Sequence, residues 1–171
     1  MTTLISLMDS PNEAIENILD AAFGADRHRR TAYAIRNGTL WMPEYSYGVT
    51  DEDGSLIATL QSWPVELRGD DGIATPLIMV GPVAVIPSQQ REGMGRMMMD
   101  QLIADTDTSA KAHLMMIGDP EYYGRFWHFW ADDTGGWRVP GPVDPKRLLM
   151  RRNAGLDPLP KLAGMLGPRT G

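Results

Sequence analysis

Two glycines separate a long apolar run from a helix-forming segment. The run is Pro76–Pro87, and Gly93 and Gly95 come just before methionines at helical spacing. A strand, a glycine-rich turn and a helix form an anion site, because the first N–H groups of a helix have no partner inside it. Glycine lets the backbone approach a bulky anion, and Arg91 and Arg96 add positive charge. We predict that this turn binds a pyrophosphate; an ordinary strand-to-helix turn is the alternative.

Other phosphate-binding and nucleophilic motifs do not fit the chain. Gly-x-x-x-x-Gly-Lys-Ser/Thr is absent, and Gly-x-Gly-x-x-Gly lacks its third glycine because position 98 is Met98. The chain contains no cysteine, which excludes disulfides, Cys-ligated zinc, iron–sulfur clusters and a Cys nucleophile. His28, His113 and His128 lack the spacing of metal ligands, so we predict no metal site.

The composition is that of a soluble globular protein. The chain has 171 residues, of which 43% are hydrophobic and 22% charged, enough for a full core in one domain. The net charge of -6 argues against nucleic-acid binding. No apolar run is long enough to cross a bilayer, and the first nine residues do not resemble a signal peptide, so we expect a cytoplasmic location. The basic clusters Arg27–Arg30 and Arg151–Arg152 are expected on a solvated helix face or in loops.

Local signals predict the elements around the turn. A capping residue before Pro11 and a stop at Gly24 predict a first helix, and a second short one is expected within 26–35. The turns Asp51–Gly54 and Asp70–Gly72 predict an antiparallel meander. Within the apolar run, Gly81-Pro82 predicts a break in a buried strand, since proline cannot donate to a ladder.

Further elements follow the turn. The methionine-rich helix should end near 106–110, followed by a strand at 112–117, a short aromatic helix at 121–129 and a strand at 137–139. After residue 140 proline and glycine recur, and only 146–152 and 159–166 are expected to form short elements.

Three blocks of this sequence resemble one known family. Val83–Pro87 followed by Gln90-x-x-Gly93-x-Gly95 resembles the acetyl-CoA-binding motif of GNAT-type N-acetyltransferases. Gly118–Phe126 is similar to the second conserved block of one bacterial subgroup, and Gln61–Val65 to its third strand. The similarity covers about residues 45–130, with the three blocks in the family's order.

The resemblance implies a fold and a domain organisation. It implies an α/β fold of α+β type, with a GNAT-like mixed, mostly antiparallel sheet, a splayed pair of strands and flanking helices. The expected single N-acetyltransferase domain covers residues 1–171 with its core at about 45–130. The helices before Gly38 would line the acceptor side, and about 140–171 would be a C-terminal tail.

The resemblance also implies site residues. The pantetheine arm would meet the backbone of Val83 and Val85, an N–H near Val83 would bind the thioester oxygen, and amides of residues 91–96 would hold the pyrophosphate. Tyr123 matches the catalytic tyrosine that faces the CoA sulfur; an aromatic packing role is the alternative. The expected cofactor-binding residues are Val83, Ala84, Val85, Gln90, Arg91, Glu92, Gly93, Met94, Gly95, Arg96, Tyr122 and Arg125.

The implied reaction is direct attack of an amine on the thioester, since no cysteine can carry an acyl group. A tyrosine pKa near 10 exceeds that of a thiol, near 8.5, so we expect Tyr123 chiefly to hydrogen-bond the thiolate. Glu66, Asp119 and Glu121 are candidates for the general base, although each is expected to be a turn, cap or surface residue. His128 is a further candidate, because histidine as a residue type can act as a base near neutral pH. Where the family commonly has Gly-Phe, this chain has Trp127-His128-Phe129.

The functional prediction follows from these residues. We expect an acetyl-CoA-dependent N-acetyltransferase that acts on a primary amine, with acetyl-CoA as co-substrate and no metal. The alternatives are a catalytically silent acyl-CoA-binding module and a regulatory protein with the same fold. The expected partners are acetyl-CoA and an amine, with no nucleic acid and no membrane; a homodimer is left open.

Overall fold

The sequence folds into a mixed sheet with helices beside it. In the computed structural model, which describes residues 1–89 and 93–170, eight strands form a mostly antiparallel sheet flanked by four helices. The strands are β1 (Thr3–Ser6), β2 (Tyr47–Thr50), β3 (Leu56–Gly69), β4 (Ala74–Val85), β5 (His113–Ile117), β6 (Trp137–Arg138), β7 (Leu148–Arg151) and β8 (Gly164–Pro168). The helices are α1 (Asn12–Phe23), α2 (Thr31–Ile35), α3 (Met94–Ser109) and α4 (Pro120–Trp127). The expected fold class is confirmed.

The strand order is β1-β2-β3-β4-β5-β7, with β8 paired to β3 and β6 paired to β8. The chain divides into two units, each with its own core. The first unit comprises Met1–His28, Trp41–Ser62 and Val80–Thr106, and the second Arg29–Leu40, Trp63–Met79 and the described residues from Asp107. The long strands β3 and β4 contribute residues to both units.

The core of the first unit lies under α1. Ile15, Ile18 and Leu19 are spaced to share one helix face, and they pack with Leu7 and Ala84. We call this group the α1 cluster. The helix ends just before Gly24, as predicted, and this glycine has a φ of 89°, which residues with a Cβ rarely adopt. The predicted side-chain cap is wrong: Pro11 occupies the N-cap position and makes no capping bond.

The predicted hairpin of the first unit is confirmed, but its neighbouring strand was not predicted. Asp51 accepts hydrogen bonds at 2.9 Å from the backbone N–H groups of Asp53 and Ser55, which fixes the turn between β2 and β3. On the other side of β2, β1 pairs antiparallel from Thr3↔Thr50 to Ser6↔Tyr47.

The core of the second unit surrounds β5. This strand pairs in parallel with β4 and antiparallel with β7, while β8 pairs with the second half of β3. Residues after 140, expected to be a tail with short elements, supply β7 and β8 to the sheet. One cluster of buried apolar residues in this unit comprises Ile35, Val65, Leu67, Leu77, Met79, Met115, Trp137, Leu148, Met150 and Leu166.

The predicted break in the buried strand is confirmed in β4. Backbone hydrogen bonds pair Gly69 with Ile73 and Ile86 with Ile57. Between these pairs β3 advances by twelve residues and β4 by thirteen, so β4 carries one extra residue, which is the signature of a bulge. The backbone departs from extended geometry at Gly81, where φ is 120°, and the Gly81–Pro82 peptide bond is cis.

Two arginines from the predicted solvated clusters are buried instead. Arg27 forms ion pairs with Glu16 and Asp20 of α1, so the preceding helix provides its partners. Arg151 in β7 donates two hydrogen bonds to the carboxylate of Asp107, at 2.8 and 3.0 Å. In both cases charge pairing replaces the hydration that we expected.

Candidate functional site

The passage from β4 into α3 brings together several of the predicted cofactor residues in the first unit. After Val85 a short 3-10 helix covers Pro87–Gln89, and α3 begins at Met94. Gly93 is exposed and adopts a φ of 70°, which only glycine takes without strain, and a Cβ there would meet no atom within 4 Å. The backbone of Gly93 is therefore open to a ligand, as an anion site requires.

The start of α3 lies against the strand that precedes it. A Cβ built on Gly95 would lie 3.9 Å from Cγ1 of Val83, so these two predicted residues are neighbours. Helix geometry leaves the amides of Met94 and Gly95 without an acceptor inside the helix. Both amides thus lie at the positive end of the α3 dipole, where negative charge is stabilised.

The remaining predicted residues of this turn differ in their surroundings. Ala84 is buried in the α1 cluster, Val85 is partly exposed, and Arg96 is exposed on the first turn of α3. The other predictions for this turn, Gln90, Arg91 and Glu92, lie outside the described residues. Among the described residues, Gly93–Arg96 and the end of β4 are therefore the parts of the predicted pyrophosphate site whose geometry can be given.

Buried contacts anchor α3 beneath the turn. Met94, Met98 and Met99 lie on its buried face, which agrees with their helical spacing in the sequence. Further along the helix, Asp105 accepts a 2.5 Å hydrogen bond from the hydroxyl of Tyr47 on β2. Burial, together with this hydrogen bond, raises the pKa of Tyr47, which therefore stays a neutral donor. This hydrogen bond fixes α3 to β2, the strand that pairs with β3.

The second unit holds the aromatic part of the predicted site. Asp119 caps α4 by accepting a hydrogen bond from the N–H of Glu121, at 3.0 Å. Tyr123 packs against Gly118, where an added Cβ would come within 2.9 Å of its ring, and its ring centroid lies 5.0 Å from that of Tyr122. Burial raises the pKa of Tyr123 to about 12. The phenol is therefore protonated at neutral pH and can donate a hydrogen bond.

The residues that depart from the family pattern end α4. His128 adopts φ 62° and ψ 37°, the left-handed conformation that usually belongs to glycine at a helix C-terminus. Its N–H donates to the carbonyl of Gly124, while Trp127 and Phe129 on either side are buried. His128 thus adopts the backbone turn that glycine favours, and this conformation costs free energy because histidine carries a Cβ. Arg125, predicted to bind cofactor, is exposed with its guanidinium 5.5 Å from the ring of Phe126.

The candidates for a general base have other contacts. Asp119 is a helix cap, as expected, and Glu66 accepts a hydrogen bond from Arg68 at 3.0 Å. Glu121 is exposed in the first turn of α4. The position of the base therefore stays unassigned.

The sequence reading missed two polar side chains of the first unit. Thr59 and Gln61 on β3 are buried, and the oxygen atoms of both lack a hydrogen-bond partner among the described residues. Polar residues at alternate positions of an otherwise apolar strand are the signal that could have found them.

No group of three or more His, Asp or Glu side chains in the described part of the chain is arranged to hold a metal ion. None of its helices combines the length and the apolar character needed to cross a membrane.

Comparison with known proteins assigns the family. A family model described as the acetyltransferase (GNAT) domain matches residues 5–127. The chain therefore belongs to the GNAT acetyltransferase family, and a search of curated proteins gave no match.

Solved structures share the fold. A GNAT family N-acetyltransferase (YhbS) from Escherichia coli in complex with CoA superimposes with a TM-score of 0.71 at 20% identity, covering 99% of this chain and 89% of that one. A GNAT family acetyltransferase from Brucella melitensis in complex with acetyl-CoA gives 0.54 at 24% identity, covering 90% and 97%. The ribosomal-protein-S18-alanine N-acetyltransferase from Escherichia coli gives 0.52 at 18% identity, covering 88% and 90%.

Proposed function

We propose that this protein is an acetyl-CoA-dependent N-acetyltransferase that transfers the acetyl group directly to a primary amine. The proposal depends on one observation, the junction of β4 and α3. There a bulged strand leads to a left-handed Gly93 and to Gly95 beside Val83. This junction carries the family's acetyl-CoA motif, and two relatives by fold were crystallised with CoA or acetyl-CoA.

The residues of the junction supply binding and electrostatic stabilisation. The amides of Met94 and Gly95, at the start of α3, would hold the pyrophosphate of acetyl-CoA. The backbone of Val83 and Val85 would pair with its pantetheine arm. The N–H near Val83 would bind the thioester oxygen and stabilise the negative charge that develops during attack by the amine.

Tyr123 would hydrogen-bond the departing thiolate. Because burial raises the pKa of Tyr123 to about 12, full proton transfer from the phenol to a thiolate is uphill. A neutral phenol near the sulfur lowers the energy of the thiolate by donating a hydrogen bond, and solvent then provides the proton. This role requires Tyr123 only to donate a hydrogen bond, whereas general-acid catalysis would require it to transfer its proton.

The rival is a catalytically silent module that binds acyl-CoA. Both versions predict CoA binding, which at 100 times the dissociation constant stabilises the folded state by about 2.7 kcal/mol. Only the enzyme also releases free thiol from acetyl-CoA when amines are added. The test is therefore a thermal melt with CoA, followed by a thiol-release assay over a panel of primary amines. No stabilisation by CoA would contradict both versions, and stabilisation without thiol release would favour the silent module.

A further inference from the structure

Arg147, just before β7, lies opposite the glycine against which Tyr123 packs. The pairing of β5 with β7 places Ile117 opposite Leu148. One step further, the N–H of Gly118 donates to the carbonyl of Arg147 at 2.9 Å, so these two residues form the next pair. Opposite residues of an antiparallel pair have Cα atoms about 5 Å apart, and their side chains point to the same face of the sheet.

The ring of Tyr123 fills the place of the side chain that Gly118 lacks. A Cβ built on Gly118 would lie 2.9 Å from Cδ2 and 3.0 Å from Cε2 of this ring. The ring therefore lies on the face to which a side chain at position 118 would point. Because Arg147 shares that face as the cross-strand neighbour, the tyrosine and the arginine lie side by side.

The charge of Arg147 reaches the phenol of Tyr123. Burial is the main cause that raises the pKa of Tyr123 to about 12, and Tyr122 adds to the rise. The positive charge of Arg147 acts in the opposite direction, against a smaller rise caused by Asp119. A guanidinium that favours negative charge on the phenol oxygen also favours it on an atom that accepts a hydrogen bond from this oxygen.

The guanidinium of Arg147 is available to a ligand. Arg147 is exposed, and its side chain forms no ion pair or hydrogen bond within residues 1–89 and 93–170. By contrast, the exposed Arg138 of the same unit is paired with Asp70. Since arginine does not lose its proton in proteins, Arg147 holds a full positive charge beside Tyr123 that no described carboxylate neutralises.

We propose that Arg147 stabilises the thiolate of CoA as it departs beside Tyr123, by placing a positive charge near the sulfur. This inference rests on the proposed function. Attack by the neutral amine forms the C–N bond and breaks the C–S bond, whose electron pair stays on sulfur, while the proton that nitrogen loses passes to solvent. Tyr123 donates a hydrogen bond to this sulfur, and Arg147 supplies the charge that a neutral phenol lacks.

The test measures the pKa of the CoA thiol in its complex with the protein, from the ultraviolet absorbance of the thiolate after subtraction of the free protein. Arg147→Gln removes the charge and Arg147→Lys keeps it. Lys146→Gln is the matched control, because it removes a charge from the exposed neighbouring residue. A charge a few ångströms from the sulfur should change this equilibrium about tenfold, so we expect a thiol pKa about one unit higher in Arg147→Gln. The other two variants should match the wild type.

Turnover is the second measurement. With saturating amine, kcat for thiol release from acetyl-CoA should fall about tenfold in Arg147→Gln and less than twofold in Lys146→Gln. The dissociation constant of CoA, measured at a pH where its thiol is protonated, should not change, because Arg147 then faces an uncharged sulfur.

Three results would overturn the inference. The first is a thiol pKa in Arg147→Gln equal to that of the wild type, and the second is an equal rise in Lys146→Gln. The third is a weaker binding of protonated CoA to Arg147→Gln with an unchanged thiol pKa, because the arginine would then hold a phosphate. If Arg147→Gln lowers the melting temperature, Arg147→Lys decides: a wild-type thiol pKa supports the inference and a raised one overturns it.

Failure of the proposed function would look different. A wild type that binds CoA but acetylates no amine contradicts the enzyme, and the thiol pKa still tests Arg147 in the CoA complex. There a rise in Arg147→Gln alone supports the inference, and its absence overturns it. If CoA does not stabilise the wild type in the thermal melt, the proposed function and this inference are both overturned.

Discussion

Replacing Gly95 by alanine should make the protein more stable and a poorer binder of CoA. The new Cβ would lie 3.9 Å from Val83 Cγ1, an ordinary contact, so the fold has room for it. Gly95 is the second residue of α3, and alanine is preferred to glycine in helices. Backbone entropy alone therefore predicts a gain of about 0.5 kcal/mol in the free energy of unfolding.

The same substitution should weaken the binding of CoA. If the amide of Gly95 contacts a phosphate oxygen, the methyl group holds the phosphate away and weakens a charge-assisted hydrogen bond. Such bonds are worth about 1.5–3 kcal/mol. At about 1.4 kcal/mol per factor of ten, the dissociation constant for CoA should rise roughly ten- to a hundredfold.

Calorimetric titration with CoA and urea unfolding measure the two effects separately. Gly135→Ala is the matched control, because a Cβ there meets nothing within 4 Å and its φ is not left-handed. The control should leave CoA affinity unchanged. An unchanged dissociation constant in Gly95→Ala, with the stability gain present, would mean that phosphate does not approach this glycine and would refute the assignment of the turn.

Three further substitutions test the second unit. Asp107→Asn weakens the pairing with buried Arg151 and should lower the free energy of unfolding by about 2–3 kcal/mol at pH 7. Arg151 lowers the pKa of Asp107, so this stabilisation is present above the unfolded pKa near 3.9 and is lost as the pH falls through the lower pKa of the folded state. A difference in unfolding free energy between the variant and the wild type that persists below both pKa values would contradict this prediction. His128→Gly relieves a left-handed histidine and should raise stability by about 1 kcal/mol in urea unfolding; a loss would show that the histidine side chain stabilises the turn. Tyr123→Phe should lower kcat without changing the dissociation constant for CoA, and an unchanged kcat would assign Tyr123 to packing.

Local chemistry made much of the fold predictable. Glycine turns, the apolar run and the Gly81-Pro82 break each act over a few residues, so β2 to β5 and three of the four helices could be read from the sequence nearly to their ends. The strand β1 could not, because four residues carry too little periodic signal and become a strand only by pairing with Thr50 and its neighbours. Short elements were predicted at 146–152 and 159–166, where β7 and the start of β8 lie, but their place in the sheet could not be predicted because their partners are distant in sequence.

The burial of certain charged and polar side chains was also not predicted from the sequence. The partner of Arg151 lies 44 residues away at Asp107, so no local pattern could show that this arginine is buried. Thr59 and Gln61 lie in a largely apolar strand, and the sequence did not show that their side-chain oxygens are buried without a partner among the described residues. For the candidate site, the sequence indicated the motif at Gly93 and Gly95, because that motif is local in the chain.

The central claim is acetyl transfer from acetyl-CoA to an amine. The most direct measurement incubates the purified protein with acetyl-CoA labelled in the acetyl group and a mixture of primary amines, and identifies products by mass spectrometry. We predict a labelled N-acetyl amine that forms in proportion to free thiol and is absent when the protein is omitted. Binding of CoA with no labelled product from any amine would contradict it.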